Sequence, residues 1–175
     1  MFIQAFFCCN MKNYIFSCTK ITELYAKNAA VFMDAENLQY TCIPVISDSC
    51  ELSRVQKYIQ EPNRFSWFIN ENTEEKTAGF ISALCNVEHK TATLSFVTDK
   101  DFQSKGVMTQ CLPIIHSYLF TKKNIIRIEA QVYEHNTASI LLLEKLGYQR
   151  EGLLRKNFII HRISRNSYMY SLLSS

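Results

Sequence analysis

One glycine-containing segment combines the groups that phosphate binding requires. It runs Gln103-Ser104-Lys105-Gly106-Val107-Met108-Thr109 and lies between a predicted strand and a predicted helix. Gly106 allows the backbone to approach a bound group closely, and a helix start presents unpaired N–H groups and a partial positive charge. These groups suit a phosphate or a pyrophosphate. A glycine before a helix is also common in ordinary turns, so that interpretation stays open at this point.

Several other chemical motifs are missing from the sequence. The glycines do not form a Gly-x-Gly-x-x-Gly dinucleotide fingerprint, and no Lys-Ser/Thr follows Gly152 as a Walker loop requires. The seven cysteines contain no Cys-x-x-Cys pair, and the four histidines form no His-Glu-x-x-His pattern. We therefore expect no metal site and no disulfide framework. The cysteine usage indicates a reducing compartment and predicts a cytoplasmic protein.

Length and composition predict one folded domain over residues 1–175. Of these residues 47% are hydrophobic and 20% are charged, with a net charge of +3, which excludes overall disorder. The first residues are apolar but too few to cross a bilayer, and they lack a basic leader and a small-residue cleavage site. Membrane insertion and secretion are therefore not expected. Because Met11 is an alternative start, we expect residues 1–12 to be a dispensable extension.

Apolar periodicity predicts two helices in the first third of the chain. The first covers residues 21–32, where apolar side chains follow helical spacing. The second begins at a capping box, Asp48-Ser49-Cys50-Glu51, and ends before Pro62.

Two further helices are predicted in the second half. One covers residues 103–120 and contains Pro113, which predicts a kink near residues 109–113. The other begins at Asn136 as N-cap and ends at Gly147. Its leucines spread around the helix axis, so we expect it to be buried on more than one side; they are Leu141, Leu142, Leu143 and Leu146.

Alternating and β-branched stretches predict the strands. The turns between the three strands of residues 65–98 are short, which indicates an antiparallel meander. A strand, a helix and more strands follow, so the fold class is α/β, with an α/β unit beside the meander. The predicted strands cover residues 14–16, 65–69, 78–85, 92–98, 125–133, 148–160 (with interruptions) and 167–173.

Two stretches together resemble a known family. One is the segment 103–109. The other contains three short motifs in a fixed order, followed by a final strand that ends Met169-Tyr170-Ser171-Leu172-Leu173. The three motifs are Arg127-Ile128-Glu129-Ala130, Asn136-Thr137-Ala138-Ser139 and Glu144-Lys145-Leu146-Gly147-Tyr148. The combination resembles the GNAT superfamily of acetyl-coenzyme A dependent N-acetyltransferases, closest to the branch that acetylates the N-termini of ribosomal proteins. The resemblance covers about residues 65–173.

The resemblance implies a single GNAT-like domain with a central, mostly antiparallel sheet flanked by helices. The sheet is splayed between the strands at 92–98 and 125–133, and acetyl-CoA lies in the opening. Asn136 and Ser139 match positions near the thioester, although Asn136 is equally explained as an N-cap. The coenzyme-binding residues implied by the resemblance are Phe96, Val97, Thr98, Gln103, Ser104, Lys105, Gly106, Val107, Met108, Asn136 and Ser139.

The catalytic groups are less complete than in many relatives. Acetyl transfer needs a neutral amine, a polarised carbonyl and a proton for the leaving thiolate. Thr93 stands where relatives often carry a carboxylate, and Leu143 where many carry a tyrosine acid. The catalytic candidates are therefore Ser139, near the sulfur, and Glu129, as proton acceptor, by direct transfer. Glu129 is alternatively part of a structural ion pair. Glu134 and His135 are further candidate proton acceptors, and Tyr133 is a more distant candidate for protonating the sulfur.

The expected acceptor is the α-amine of a protein N-terminus. Such an amine has a pKa of about 8 and is partly neutral at pH 7, whereas a lysine needs a stronger base. Alternatives are a small amine, such as a polyamine or an aminoglycoside, and a non-catalytic coenzyme A binding module. Residues 121–175 carry nine Lys and Arg against four Asp and Glu, which suits the 3′-phosphate of coenzyme A or a ribosomal surface. We expect a monomer or homodimer and no sequence-specific binding of nucleic acid.

Overall fold

The computed structural model describes residues 7–11, 14–20, 38, 41, 49–71, 76–160 and 162–174. Its strands are β1 (Phe7–Met11), β2 (Tyr14–Lys20), β3 (Arg64–Glu71), β4 (Thr77–Asn86), β5 (Thr91–Thr98), β6 (Arg127–Tyr133), β7 (Gln149–Ile160) and β8 (Ile163–Leu173). It also contains the helices α1 (Ser49–Ile59), α2 (Val107–Lys122) and α3 (Thr137–Lys145), and a 3-10 helix at Lys100–Phe102. The described strands form one sheet in the order β1-β2-β3-β4-β5-β6-β8-β7.

The sheet is antiparallel at every described pairing except one. Strands β3, β4 and β5 form the predicted meander, with Trp67 opposite Ile81 and Ile81 opposite Phe96. Strands β5 and β6 pair in parallel, because α2 carries the chain from the end of one strand back to the start of the other. The predicted α/β fold is thus confirmed.

The N-terminal predictions divide into two groups. The predicted helix at 21–32 lies outside the described residues. The predicted extended segment at 14–16 belongs to β2, and β1 pairs with it, with Phe7 opposite Cys18. Residues 7–11 therefore add a strand at one end of the sheet, and whether residues 1–12 are dispensable stays a prediction.

Helix α2 starts four residues later than the sequence pattern suggests. Ser104 and Gly106 have φ angles of 60° and 77°, in the left-handed region, so residues 103–106 form a turn rather than a first helical turn. The helix continues through the exposed Pro113. The kink there stays a prediction.

Helix α3 has the predicted ends but not the predicted burial. The Asn136 side chain accepts a hydrogen bond from the backbone N–H of Ser139, and Gly147 follows the helix with φ 85°. Leu143 is fully buried, whereas the Leu141 side chain is 61% exposed. Burial on more than one side is therefore wrong: of these leucines only Leu143 is fully enclosed, and the side that carries Leu141 faces solvent.

The main hydrophobic core connects α2 with the sheet. Helix α2 contributes Cys111, Leu112, Ile115 and Leu119, all fully buried, to a cluster that includes strand residues such as Ile81, Ile128 and Tyr170. Trp67 lies at one end of it and meets the Tyr118 ring edge-on at 5.8 Å. No helix among the described residues is long and apolar enough to span a membrane.

One polar pair is enclosed in this core. The Tyr148 hydroxyl lies 2.9 Å from Nε2 of His116, and both side chains are buried. Burial lowers the pKa of His116 to about 4 and raises that of Tyr148. The folded protein therefore holds this imidazole in its neutral form.

We expect the free energy of unfolding to fall as the pH drops from 7 to 5. His116 binds its proton near pH 6.5 when unfolded but only near pH 4 when folded, so acid favours the unfolded chain, by about 2 kcal/mol at pH 5. The measurement is urea denaturation at pH 7, 6 and 5. The variant His116→Gln should lose most of this pH dependence, and His89→Gln, at an exposed histidine, should keep it. Equal wild-type stability at pH 7 and 5 would contradict the prediction.

Candidate active site

Strands β5 and β6 separate after three residue pairs. Thr91 pairs with Arg127, Ala92 with Ile128 and Thr93 with Glu129, and no pair follows. Beyond this point β5 stays paired with β4, to Thr98, and β6 stays paired with β8, to Tyr133. Each strand therefore turns an edge without a strand partner toward the opening between them.

The opening forms part of a cavity of about 770 Å³. Every coenzyme-binding residue predicted from the sequence lines it except Lys105, whose Nζ lies 5.0 Å from the centre of the Phe102 ring. The residues come from β5, from the loop and first turn of α2, and from the first turn of α3. The fold thus brings together two segments that lie about 30 residues apart in the sequence.

The start of α2 offers backbone donors to this cavity. Gly106 is the N-cap, no side chain caps the first turn, and that turn contains no acidic residue. Gly106, Val107, Met108 and Thr109 all line the cavity, together with Lys100. Free N–H groups, the positive end of the helix dipole and a lysine make this end of the cavity suitable for a pyrophosphate.

Gly79 of β4, which the sequence interpretation missed, determines how closely β4 approaches the cavity residues of β5 and α2. It lies opposite Thr98 on the neighbouring strand. A Cβ at position 79 would lie 2.6 Å from the Val97 carbonyl oxygen and 2.9 Å from Cε of Met108. Glycine therefore allows β4 to lie close behind the two cavity residues Val97 and Met108. A glycine inside a strand pattern was the available signal.

The third wall of the cavity is the start of α3. The Asn136 Oδ1 accepts from the Ser139 backbone N–H at 3.2 Å, so the N-cap interpretation of Asn136 is confirmed. Asn136, Ala138 and the half-buried Ser139 also line the cavity. Capping and contact with a ligand are therefore compatible at this residue.

The candidate proton acceptors lie beside the cavity rather than in its lining. Glu129 is paired with Thr93 across the β5–β6 junction, so their side chains share a face of the sheet. Its carboxylate accepts from Nε of Arg127 at 2.6 Å. The Glu134 carboxylate accepts from Nδ2 of Asn166 at 3.0 Å, and the His135 side chain is 70% exposed.

Arg127 joins the base of the opening to the last strands. Besides Glu129, it donates to the Glu151 carboxylate at 2.7 Å, and Ser171 Oγ donates to the same carboxylate at 2.7 Å. These hydrogen bonds lower the pKa of Glu151 to about 2. The group holds β6, β7 and β8 together close to the point where β5 separates.

A cavity with an open strand edge and a helix start suits a long chain that ends in a pyrophosphate, and the sequence relationships agree. The family model of the acetyltransferase (GNAT) domain matches residues 19–149. The chain belongs to this family of acetyltransferases, for which acetyl-CoA is the co-substrate.

Individual relatives agree with this class. The chain is 35% identical over 114 residues to the "Uncharacterized N-acetyltransferase p20" of Bacillus licheniformis, a match that covers 65% of this chain and 63% of that protein. It is 30% identical over 101 residues to the spermidine N(1)-acetyltransferase of Escherichia coli K12, covering 57% and 54%. The chain thus spans less than two thirds of the length of these two relatives. No relationship to the ribosomal-protein branch emerges from these matches.

A solved structure shows the same fold. The spermidine N-acetyltransferase of Vibrio cholerae, in complex with CoA and spermine, superposes with a TM-score of 0.76 over 89% of this chain and 95% of that one. The two sequences are 17% identical, so this likeness shows the fold alone.

Other cavity residues also escaped the sequence interpretation. Lys100 lies two residues after the end of β5, and a cation beside a predicted phosphate loop was the available signal. Phe158 and Gln131 lie on β7 and β6, and nothing in their local sequence distinguishes them from ordinary strand residues. Only the strand register brings them to the cavity.

The variant Gly79→Ala should bind acetyl-CoA about tenfold more weakly, because the added methyl group displaces the Val97 carbonyl and Met108. The measurement is calorimetric titration with acetyl-CoA. The matched control is Gly152→Ala, since a Cβ at Gly152 meets nothing within 4 Å and that residue is outside the cavity. Equal affinities of the two variants would show that the close approach at Gly79 does not shape the site.

Proposed function

We propose that this chain transfers the acetyl group of acetyl-CoA to the α-amine of a protein N-terminus. The observation that carries the proposal is the cavity between β5 and β6, whose described lining contains no carboxylate. The cavity supports placing the pyrophosphate at Gly106 and the pantetheine amides along the β5 edge at residues 96–98. The thioester then lies near the start of α3.

The absence of a lining carboxylate bears on the choice of acceptor. An α-amine with a pKa of about 8 is roughly a tenth neutral at pH 7, whereas an amine with a pKa of about 10.4 is neutral about once in 10³ molecules. The second kind of acceptor depends on a strong base to remove its proton. An N-terminal amine is less dependent on such a base, which agrees with a described lining that contains no carboxylate.

The chemistry in this proposal is direct attack of the neutral amine on the thioester carbonyl. The sheet register turns the backbone N–H of Val97 toward Phe80 of β4, so the neighbouring N–H of Phe96, on the open edge of β5, stabilises the oxyanion that develops on the carbonyl oxygen. Ser139 orients the sulfur and relays a proton from water to the departing thiolate, so that its own hydroxyl is restored. Glu129, beside Thr93 at the base of the opening, accepts the amine proton through water. Alignment of the two substrates in one cavity supplies much of the remaining acceleration.

A polyamine is the second candidate acceptor. It is favoured by one observation, namely that relatives of this chain in both sequence and structure are spermidine acetyltransferases. The described cavity lining argues against it, because its only charged side chain is the cationic Lys100 and spermidine is itself a polycation.

A panel of amines tests the proposed function. Thiol release from acetyl-CoA should be fastest with short peptides that have a free Ala or Ser N-terminus, and much slower with the same peptides blocked at the N-terminus but carrying a lysine. Higher kcat/KM for spermidine than for every free peptide would support the polyamine instead. No thiol release with any amine would reject acetyl transfer altogether and leave coenzyme A binding.

Ser139→Ala should lower kcat by about a hundredfold with little change in acetyl-CoA affinity, because a proton donor is lost and the helix cap remains. Thr137→Ala, an exposed change in the same helical turn, is the control and should keep wild-type turnover.

Glu129→Gln should shift the pH profile of kcat/KM. If it lowers only the thermal stability, Glu129 is a structural partner of Arg127 and not a proton acceptor.

A further inference from the structure

Strand β8 carries a cationic side chain beside the wall of the cavity. Phe158 of β7 lines the cavity and lies directly opposite Arg165 of β8. Side chains of residues opposite each other in an antiparallel pair lie on the same face of the sheet. Arg165 therefore stands next to the cavity on the side of Phe158, away from the pyrophosphate end at Gly106.

Arg165 lacks a full set of partners. Its Nε is buried from solvent and has no hydrogen-bond partner, and no described carboxylate pairs with its guanidinium. A buried guanidinium N–H without a partner is unfavourable, because the group loses water and gains nothing in return. The two Nη groups are not enclosed in this way, so a ligand carboxylate can reach them and accept two parallel hydrogen bonds.

A bulge in β7 places more positive charge beside Arg165. The pairing register shifts between Leu154 and Phe158, so residues 155–157 project from the strand; we call them the β7 bulge. Two of its residues are the exposed cations Arg155 and Lys156.

The β7 bulge is fixed to the cavity wall. Its Asn157 donates to Oε1 of Gln131 at 2.8 Å and to Oγ of Ser167 at 3.1 Å. The Lys156 backbone N–H donates to Oδ1 of Asn166 at 3.0 Å. Gln131 itself lines the cavity, so the position of the bulge is tied to the site.

Nearby acidic groups have partners of their own. Glu151 and Glu129 are both paired with Arg127, and the Glu134 carboxylate accepts from Asn166. The Asn166 amide leaves the charge of Glu134 in place, but Arg155, Lys156 and Arg165 outnumber it, so among the described residues the rim at Phe158 presents mainly positive charge. Such a rim attracts an anionic group and repels a polyamine.

We propose that Arg165 and the β7 bulge bind a carboxylate of the acceptor, so that the preferred substrate is a peptide N-terminus followed by acidic residues. This rests on the proposed acetyl transfer to an α-amine. The amine enters the cavity between β5 and β6 while the acidic side chains remain at the rim, where Arg165 forms a bidentate pair and Arg155 and Lys156 add long-range attraction.

The first experiment needs only the wild-type protein. Three peptides with a free N-terminal alanine differ solely at positions two and three, which are Glu-Glu, Gln-Gln or Lys-Lys. We expect kcat/KM to be at least about tenfold higher for the Glu peptide than for the Gln peptide, mainly through KM, and lowest for the Lys peptide. Equal values for the Glu and Gln peptides would overturn the inference while leaving acetyl transfer intact.

The second experiment assigns the preference to Arg165. Arg165→Gln should bring the Glu peptide down to the level of the Gln peptide, and Arg165→Lys should retain part of the preference. The control is Lys122→Gln, which removes one exposed positive charge at the far end of α2 and should keep the full preference. A preference that survives in Arg165→Gln would overturn the role of Arg165.

Two readouts separate the ways in which these experiments can fail. Acetyl-CoA affinity and the thermal midpoint show whether Arg165→Gln is folded; if it is not, Arg165→Lys and the wild-type peptide ratios decide. Thiol release with spermidine alone would overturn both the acidic acceptor and the α-amine. Thiol release with all three peptides at equal rates would overturn only the acidic acceptor.

Discussion

Strands β5 and β6 each keep one hydrogen-bonded neighbour and give up the other. After Thr93 and Glu129 they no longer pair, although β5 continues along β4 and β6 continues along β8. Backbone N–H and C=O groups that lack a partner inside a protein are unfavourable unless something else binds them. The separation is therefore both the source of the cavity and the reason why a ligand with amide groups suits it. A closed sheet would satisfy the same groups and leave no room for acetyl-CoA.

The neighbouring elements depend on this separation. Helix α2 begins beside the end of β5, where the left-handed Ser104 and Gly106 turn the chain and leave the first N–H groups toward the opening. Gly79 permits β4 to lie directly behind Val97 and Met108, so the strand wall and the helix wall meet without a gap. The buried face of α2, from Cys111 to Leu119, fixes the helix on the core. Hydrophobic packing thus fixes the position of the helix start at the cavity, where we place the pyrophosphate.

Local sequence patterns predicted the elements well, because each pattern reflects a local physical preference. Asn136 and Gly147 bound α3 as capping chemistry requires, and the short turns of residues 65–98 allow only an antiparallel meander. Features that depend on tertiary packing were not predictable in the same way. Leu141 is apolar yet exposed, since apolar character does not reveal which side of a helix the sheet covers. Gly79, Phe158 and Arg165 reach the site through strand register and a bulge, and neither can be read from spacing along the chain.

The β6 arm of the opening keeps its place because it is held from outside. On the β6 arm, Arg127 binds Glu129 on its own strand and Glu151 on β7, while Ser171 of β8 donates to Glu151. Further along the same arm, Asn166 donates to Glu134 and accepts from the Lys156 N–H, which requires a side chain with both a donor and an acceptor. An aspartate there would offer only oxygens, and the pair with Glu134 would become a repulsion between carboxylates. The polar contacts on the solvent side therefore add to the packing of the core. They hold β6, β7 and β8 as one unit, so that β6 is not free to close onto β5.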